Sequence, residues 1–297
     1  MRIKGSRVLV TGASSGIGRE LTRSLVGRGA AVAVVARRRR LLEELASELD
    51  GQVAVIDADL SRPGEAARVA AEAEAALGPV DVLVNNAGGG VGGRIWVVGD
   101  KEPAREAFEV NYWSALGLIA ALVPDMVKRG SGAVVNVTSM AQVNSWPGFG
   151  AYAATKAALA LATETLRMEL DGSGVHVLEA IPGPIDTAVQ GETRLAPGIE
   201  RMLDRVPLGD AGEMARRIVR ALERDRARVI YPRRASVAYM APALMRRDTR
   251  RLAARAARET DPAARAFLDG LVVRTGSHGD EIARSAREAW EASRGRG

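Results

Sequence analysis

The sequence predicts an α/β fold with a doubly wound parallel sheet, and three observations carry that prediction. Short apolar runs rich in valine alternate with stretches of helical periodicity from the N-terminus onward. Glycines at 29, 51, 78, 130 and 172 punctuate the ends of those stretches. Continuous apolar strands need cover on both faces, which helices between parallel strands supply.

Seven strand-like runs are expected, at residues 7–10, 31–36, 52–56, 80–84, 133–138, 175–180 and 228–231. Helical patterning covers 43–49, 66–77, 104–127 and 151–170. The last two carry apolar residues on more than one face, which predicts burial against another subunit in a homodimer or homotetramer. After Tyr231-Pro232 the character changes. Residues 236–297 are dominated by alanine and arginine, contain little strand-like sequence, and are expected to form a helical extension of the domain 1–235. Residues 188–210, with Gly191, Pro197, Gly198 and Pro207, lack periodicity and predict a loop above the sheet.

Composition removes several function classes. The absence of cysteine excludes disulfides, thiolate zinc sites and a cysteine nucleophile. Two histidines, His176 and His278, are too few and too far apart for a metal cluster, and no metal is expected. The N-terminus runs directly into strand-like sequence without a signal-peptide pattern. The longest apolar stretch, 113–123, is about half of what a bilayer needs. A soluble, cytoplasmic protein is the expectation. The net charge of +6 is concentrated in residues 233–265, where nine arginines face Asp248, Glu259 and Asp261.

Directly after the first strand comes Thr11-Gly-Ala-Ser-Ser-Gly-Ile-Gly18, opening a helix near Arg19. Glycines at 12, 16 and 18 permit a tight turn, close approach to a pyrophosphate and close helix–strand packing. Ser14, Ser15 and Ile17 complete this loop. The following helix N-terminus offers N–H groups and a positive dipole end to the phosphates.

The residue that reads the adenosine ribose of a dinucleotide should stand about 20 positions past the glycines, at the end of the second strand. Arg37 stands 19 after Gly18. An acidic residue there binds the 2′-hydroxyl of NAD; an arginine pairs with the 2′-phosphate of NADP. Arg38 is expected to stack on the adenine or add a second contact. Arg39 and Arg40 belong to the exposed face of the next helix.

Tyr152 and Lys156 lie four residues apart on a predicted helix, hence on one face. Ser139 follows the strand 133–138 at its C-terminal end, the edge where an open parallel sheet binds its ligands. The three side chains can converge there.

T-G-A-S-S-G-I-G, Asn85-Asn86-Ala87-Gly88, Asn111, the Ser139/Tyr152/Lys156 set and Pro182-Gly183 together resemble the short-chain dehydrogenase/reductase family in order and spacing. The resemblance covers roughly residues 5–235 and implies a Rossmann-type sheet and an NADP(H)-dependent interconversion of carbonyl and alcohol. Hydride transfer needs an acid–base partner at the oxygen. Tyr152 is that partner, and Lys156 and the positive nicotinamide are expected to depress its pKa from near 10. The family adds that Lys156 holds the nicotinamide ribose, Ser139 polarises the substrate oxygen, and Asn111 positions a water in a proton relay. It also implies that Asp59-Leu60 meet the adenine, and that Asn86, Ala87 and Gly88 line the adenosine ribose. Pro182, Gly183, Ile185 and Thr187 are implied to close over the nicotinamide. Local readings stand beside these: Ser139 as a strand-end cap, Asn111 as a satisfied buried amide, Asp59 as a helix cap.

Residues 89–96, 141–149 and 188–208 are the substrate-facing segments, with Trp96, Val143, Trp146, Phe149, Val189 and Leu195 and no evident cationic clamp. A neutral or apolar substrate follows. His176 reads as structural and His278 as a loop residue. Arg247, Arg251, Arg255 and Arg258 share one helical face, open to solvent or to weak contact with an anionic membrane. Nucleic acid is not expected, since no aromatic interleaving or known module accompanies the charge. The alternative to an enzyme is a non-catalytic NADP(H)-binding sensor or scaffold, for which the acid–base pair has no purpose.

Overall fold

The computed structural model describes residues 1–144, 147–185, 208–259 and 272–275. Its centre is a seven-stranded parallel sheet. In chain order the strands are β1 (Arg7–Thr11), β2 (Ala31–Ala36), β3 (Val53–Asp57), β4 (Val82–Asn85), β6 (Gly132–Val137), β7 (Val175–Pro182) and β8 (Arg228–Tyr231). Their spatial order is β3-β2-β1-β4-β6-β7-β8, so the winding reverses between β1 and β4. All seven expected strands are present, with ends displaced by no more than two residues.

Side-chain alternation along these strands divides the core in two. Val8, Val10, Val32, Val34, Val82 and Val84 face α1 (Gly16–Val26), α2 (Arg39–Ser47) and α8 (Ala211–Glu223), meeting Leu21, Leu25, Leu42, Ile218 and Leu222. Leu9, Ala33, Val35, Leu83 and Val134 face α3 (Glu65–Leu77) and α6 (Ser114–Arg129), meeting Val69, Ala73, Leu118, Leu122 and Met126. Each fully buried leucine here contributes about 1.5–3 kcal/mol, which makes this alternation the principal determinant of register.

The stretch Glu102–Arg129 joins α5 (Glu102–Phe108), a π-helical turn at Glu109–Trp113 and α6, and is long and apolar enough to cross a membrane. Burial of Leu118, Leu122 and Met126 against α3 gives that apolarity a packing role. It exceeds the continuous apolar run visible in the sequence because charged positions are spaced around the helix.

Three short elements were not expected. Strand β5 (Gly90–Gly92) pairs antiparallel with β9 (Val273–Thr275), inside the supposedly helical extension. A short helix α4 (Ile95–Val98) follows β5. The rest of the described extension is helical, as α9 (Arg234–Met240) and α10 (Pro242–Glu259). Helix α7 (Gly150–Glu169) lies under the catalytic candidates.

Candidate active site

The site forms at the C-terminal edge of β1, β4, β6 and β7, beside the reversal of winding. The glycine loop is tied to the loop after β4 by one strap. Asn86 donates its amide to Thr11 O at 2.9 Å and Gly12 O at 3.2 Å. Thr11 Oγ1 accepts from the backbone N–H of Asn86 at 3.0 Å and Ala87 at 2.9 Å. A Cβ on Gly12 would lie 2.8 Å from Ala87 Cα, and one on Gly18 would lie 2.3 Å from Gly12 O. Gly12 (φ +67°) and Gly18 are therefore required by this packing as well as by any phosphate. Ser15 begins α1 without a side-chain cap, so the helix N-terminus is open to an anion. Gly16 has φ +54°, Ser14 is buried, and Ile17 packs against the core.

The four arginines diverge. Arg38 turns back to the glycine loop, with Nη2 3.4 Å from Ser14 Oγ. Its Nε is buried and has no hydrogen-bond partner among the described residues. Arg37 is exposed and its charge acts on Asp59. Arg39 pairs with Glu43 at 2.7 Å and Asp57 at 2.8 Å, and Arg40 pairs with Glu44. Those last two occupy the solvent face of α2, where ion pairs contribute little.

Burial pushes the Asp59 carboxyl up, but hydrogen bonds from Ser61 and the charges of Arg37 and Arg62 outweigh it and hold the group below the usual carboxylate range. Asp59 is not a helix cap. It accepts from Ser61 N and Ser61 Oγ at 3.2 and 2.7 Å, and α3 starts later, behind Gly64. Leu60 has its side chain in the core at 4 % exposure, which leaves only its backbone for the adenine contact that the sequence implies.

Ser139 and Tyr152 come together through a hydrogen bond, and Lys156 is held at the end of the strand that precedes Ser139. Ser139 follows β6 and its Oγ accepts from Ala141 N at 3.1 Å, capping a 3-10 turn at Met140–Gln142. The local reading of Ser139 as a cap is thus realised without taking it from the site. Burial pushes the Tyr152 phenol up, and a hydrogen bond with Ser139 pulls it the other way. The sequence expectation names Lys156 and the nicotinamide as the groups that depress Tyr152; in the chain by itself burial is the largest influence on the phenol. The ammonium is turned to Val137 O, 3.0 Å away, and the enclosed surroundings penalise the phenolate. The same enclosure pushes Lys156 down to about 8.

Asn111 sits on the π-helical turn, 1 % exposed. Its amide donates to Gly89 O at 2.7 Å and Thr155 Oγ1 at 3.0 Å, and its Oδ1 accepts from Gly89 N at 3.1 Å. A Cβ on Gly88 would meet Asn111 Oδ1 at 2.8 Å and Lys156 Nζ at 3.4 Å, so the three groups share one small space. A π-turn here re-aims Asn111 inward, which helical periodicity cannot predict.

Pro182 ends β7, Gly183 N donates to Tyr231 O at 2.7 Å, and Ile185 is buried beside Gly209. Thr187, Trp146, Val189, Leu195 and His278 lie outside the described residues. Trp96 is exposed with Arg94 over its ring, and His176 bonds Arg226 O at the opposite end of β7. Among the described residues no cluster of metal-ligating side chains occurs.

Sequence reasoning missed Thr11 and Thr155, which hold the loops, and the buried chain Asn85–Asn136–Thr163 across β4, β6 and α7. It also missed Glu179, 2 % exposed, which is bonded by Thr138, Gln142 and Arg228. Its one available signal was a lone acid in an apolar strand with an arginine in register on β8.

The described arrangement fits a nicotinamide dinucleotide: an uncapped helix end, an orphaned guanidinium donor and a tyrosine–lysine–serine group meet at one edge. A family model described as short chain dehydrogenase matches residues 6–197. The 1-deoxy-11-beta-hydroxypentalenate dehydrogenase of Streptomyces exfoliatus is 38 % identical over 200 residues, 65 % of this chain and 72 % of that one. The chain spans about 62 % of the length of other curated relatives that it matches. A short-chain dehydrogenase from Streptomyces avermitilis superimposes with TM-score 0.73 at 32 % identity, covering 87 % of this chain and 100 % of that chain. A short-chain dehydrogenase from Sphingobium yanoikuyae in complex with NADPH has TM-score 0.69 at 27 % identity, covering 82 % and 94 %. One from Burkholderia phymatum in complex with NAD, 24 % identical, shares the fold with TM-score 0.71, covering 83 % and 97 %. The chain belongs to the short-chain dehydrogenase family of nicotinamide-dependent oxidoreductases.

Proposed function

We propose that the protein is an NADP(H)-dependent oxidoreductase interconverting a carbonyl and an alcohol on a neutral or apolar small molecule. The observation that carries the choice of cofactor is Arg38, bonded to Ser14 with a buried Nε left without an acceptor among the described residues. With Arg37 beside it, this is donor chemistry for a 2′-phosphate. The chain segment that leaves β2 brings no carboxylate to a 2′-hydroxyl: residues 36–40 are Ala followed by four arginines, and the neighbouring Asp57 of β3 is paired with Arg39.

The glycine loop and α1 would hold the pyrophosphate, and Asp59 and the Leu60 backbone the adenine. Asn86, Ala87 and Gly88 would flank the adenosine ribose. Lys156 would hold the nicotinamide ribose, with Pro182, Gly183, Ile185 and Thr187 beside the nicotinamide. When bound, the nicotinamide supplies or accepts the hydride.

The chain's own residues move the proton. Burial keeps the Tyr152 phenol protonated, the form that donates to a carbonyl oxygen during reduction. The Ser139 hydroxyl donates to the same oxygen as negative charge develops there. The phenolate left behind is stabilised by the Lys156 ammonium, which is present below about pH 8. Asn111, held by Gly89 and Thr155, positions a water that returns the proton from solvent by way of Lys156. In oxidation each transfer runs in reverse.

The proposal includes a cytoplasmic homodimer or homotetramer. It also includes weak contact of α10 with anionic membrane through exposed Arg247, Arg251 and Arg255, beside Leu244 and Leu252; the Arg258 side chain lies outside those described. Centrifugation with vesicles containing anionic lipid tests that contact, and no co-sedimentation at low salt removes it.

The function is tested with a panel of neutral ketones and NADPH, and the matching alcohols with NADP⁺. Turnover that disappears in Tyr152→Phe while NADPH binding persists is the expected result. Tight NADPH binding with no turnover across the panel would oppose the enzymatic reading.

A further inference from the structure

The chain beyond residue 235 lies outside the region matched by the family model, yet it meets the site loops after β4, β6 and β7. At β7, a Cβ on Gly183 would sit 3.1 Å from Pro232 Cδ and 3.7 Å from Ala235 Cβ, so the start of α9 abuts the Pro182-Gly183 turn. Tyr239 of α9 stacks under the Arg228 guanidinium at 5.0 Å. Arg228 binds Glu179 at 2.8 Å, and Glu179 accepts from Thr138 at 3.1 Å and Gln142 at 3.0 Å. Those two residues bracket Ser139.

At β6, α10 grips the same turn from outside. Asn144 Nδ2 donates to Thr249 Oγ1 at 2.9 Å, and Thr249 Oγ1 donates back to Asn144 Oδ1 at 3.1 Å. Thr249 is 8 % exposed, on a helix whose other described side chains are exposed or half-buried. Arg246 Nε adds a bond to Val143 O at 3.0 Å. At β4, β9 pairs with β5 two residues after Gly88, and Val272 packs with Val91 and Ala151, next to Tyr152.

We propose that α9, α10 and β9 form a wall of the substrate site, in which Asn144 and Thr249 are positioning residues that fix the turn presenting Ser139 and so select among neutral carbonyl substrates by shape. The proposal rests on the oxidoreductase reading above. A hydroxyl at 8 % exposure held by both ends of one amide is a geometric constraint: the Thr249 hydroxyl has little water to replace Asn144, so the turn and the helix hold each other in place. A substrate seated over Ser139 meets a boundary set by the extension.

The test compares full-length wild type, Thr249→Val and Thr249→Ser. Valine keeps the shape and removes the hydroxyl; serine keeps the hydroxyl. Hydrogen–deuterium exchange is followed by mass spectrometry, alongside NADPH titration and kinetics on a fixed panel of linear, cyclic and aryl ketones. In Thr249→Val, exchange at 140–144 should rise about tenfold, the loss expected for an unmade buried hydrogen bond, and residues 7–18 should be unchanged. NADPH affinity should stay within about twofold, since no cofactor contact is altered. KM should shift by different factors for different ketones while kcat moves less, and Thr249→Ser should restore both patterns. Unchanged exchange at 140–144, a rise spread evenly over the sheet, or one common KM factor for every ketone would overturn the proposal. A wild type that turns over none of the ketones defeats the oxidoreductase reading instead, and the exchange comparison still decides whether Thr249 holds the Ser139 turn.

Discussion

Lys156 Nζ donates to Val137 O at 3.0 Å, which anchors the ammonium to the last residue of β6 in a site closed to water. The folded protein gives up this proton at about 8, whereas the unfolded chain holds it to 10.5. Between those values the unfolded state binds more protons, so stability rises with pH across the window. The full effect is on the order of 3 kcal/mol. Urea unfolding of wild type and Lys156→Met from pH 7 to 10 should show wild type gaining on the variant above about pH 8. A difference that stays constant with pH would mean the lysine is not held in a dry site.

Ser139 is the group whose hydrogen bond pulls the Tyr152 phenol down against burial. Ser139→Ala should lower kcat by about 10²- to 10³-fold, the loss expected when one donor to a developing oxyanion is removed. NADPH affinity should be unaffected. Steady-state kinetics showing only a raised KM would restrict Ser139 to binding.

Gly88→Ala places a methyl group 2.8 Å from Asn111 Oδ1 and 3.4 Å from Lys156 Nζ. It should cost about 1–3 kcal/mol of stability through overpacking and abolish most turnover. Gly130→Ala, at a left-handed helix end with open space around it, should cost about 1 kcal/mol and leave turnover intact. Thermal melts paired with activity assays separate the two; equal activity in both variants would contradict the crowding described at Gly88.

Trp113, Leu161 and Met168 are 54 %, 71 % and 66 % exposed on the π-turn and α7. A monomer gains nothing from such a face, and a second copy of the chain covers it in the proposed oligomer. Sedimentation should give a dimer or tetramer, reduced to monomer by Leu161→Glu with Met168→Glu. A wild-type monomer at micromolar concentration would end this part of the account.

Most of the sheet was legible because its strands are buried on both faces and therefore written as unbroken apolar runs, such as Val32–Val35. The Tyr152/Lys156 pair was legible because helical spacing alone puts both on one face. Asn111 was identified, but not its π-turn or its Thr155 partner, since an inserted residue shifts the helix face without marking the sequence. β9 was missed because three residues paired to a loop carry no periodic pattern. The burial of Tyr152 was not legible, because chain spacing reports neighbours and not enclosure.

The central claim is that the arginines after β2 recognise a 2′-phosphate. Fluorescence titration with NADPH and with NADH, on wild type, Arg37→Asp and Arg38→Ala, tests it most directly. The account predicts NADPH binding tighter by about 10²- to 10³-fold in wild type, the worth of two charge-assisted contacts, with the gap narrowing in both variants. NADH binding as tight as NADPH in wild type, or a preference untouched by either substitution, would contradict it and return the arginine run to a feature of the surface.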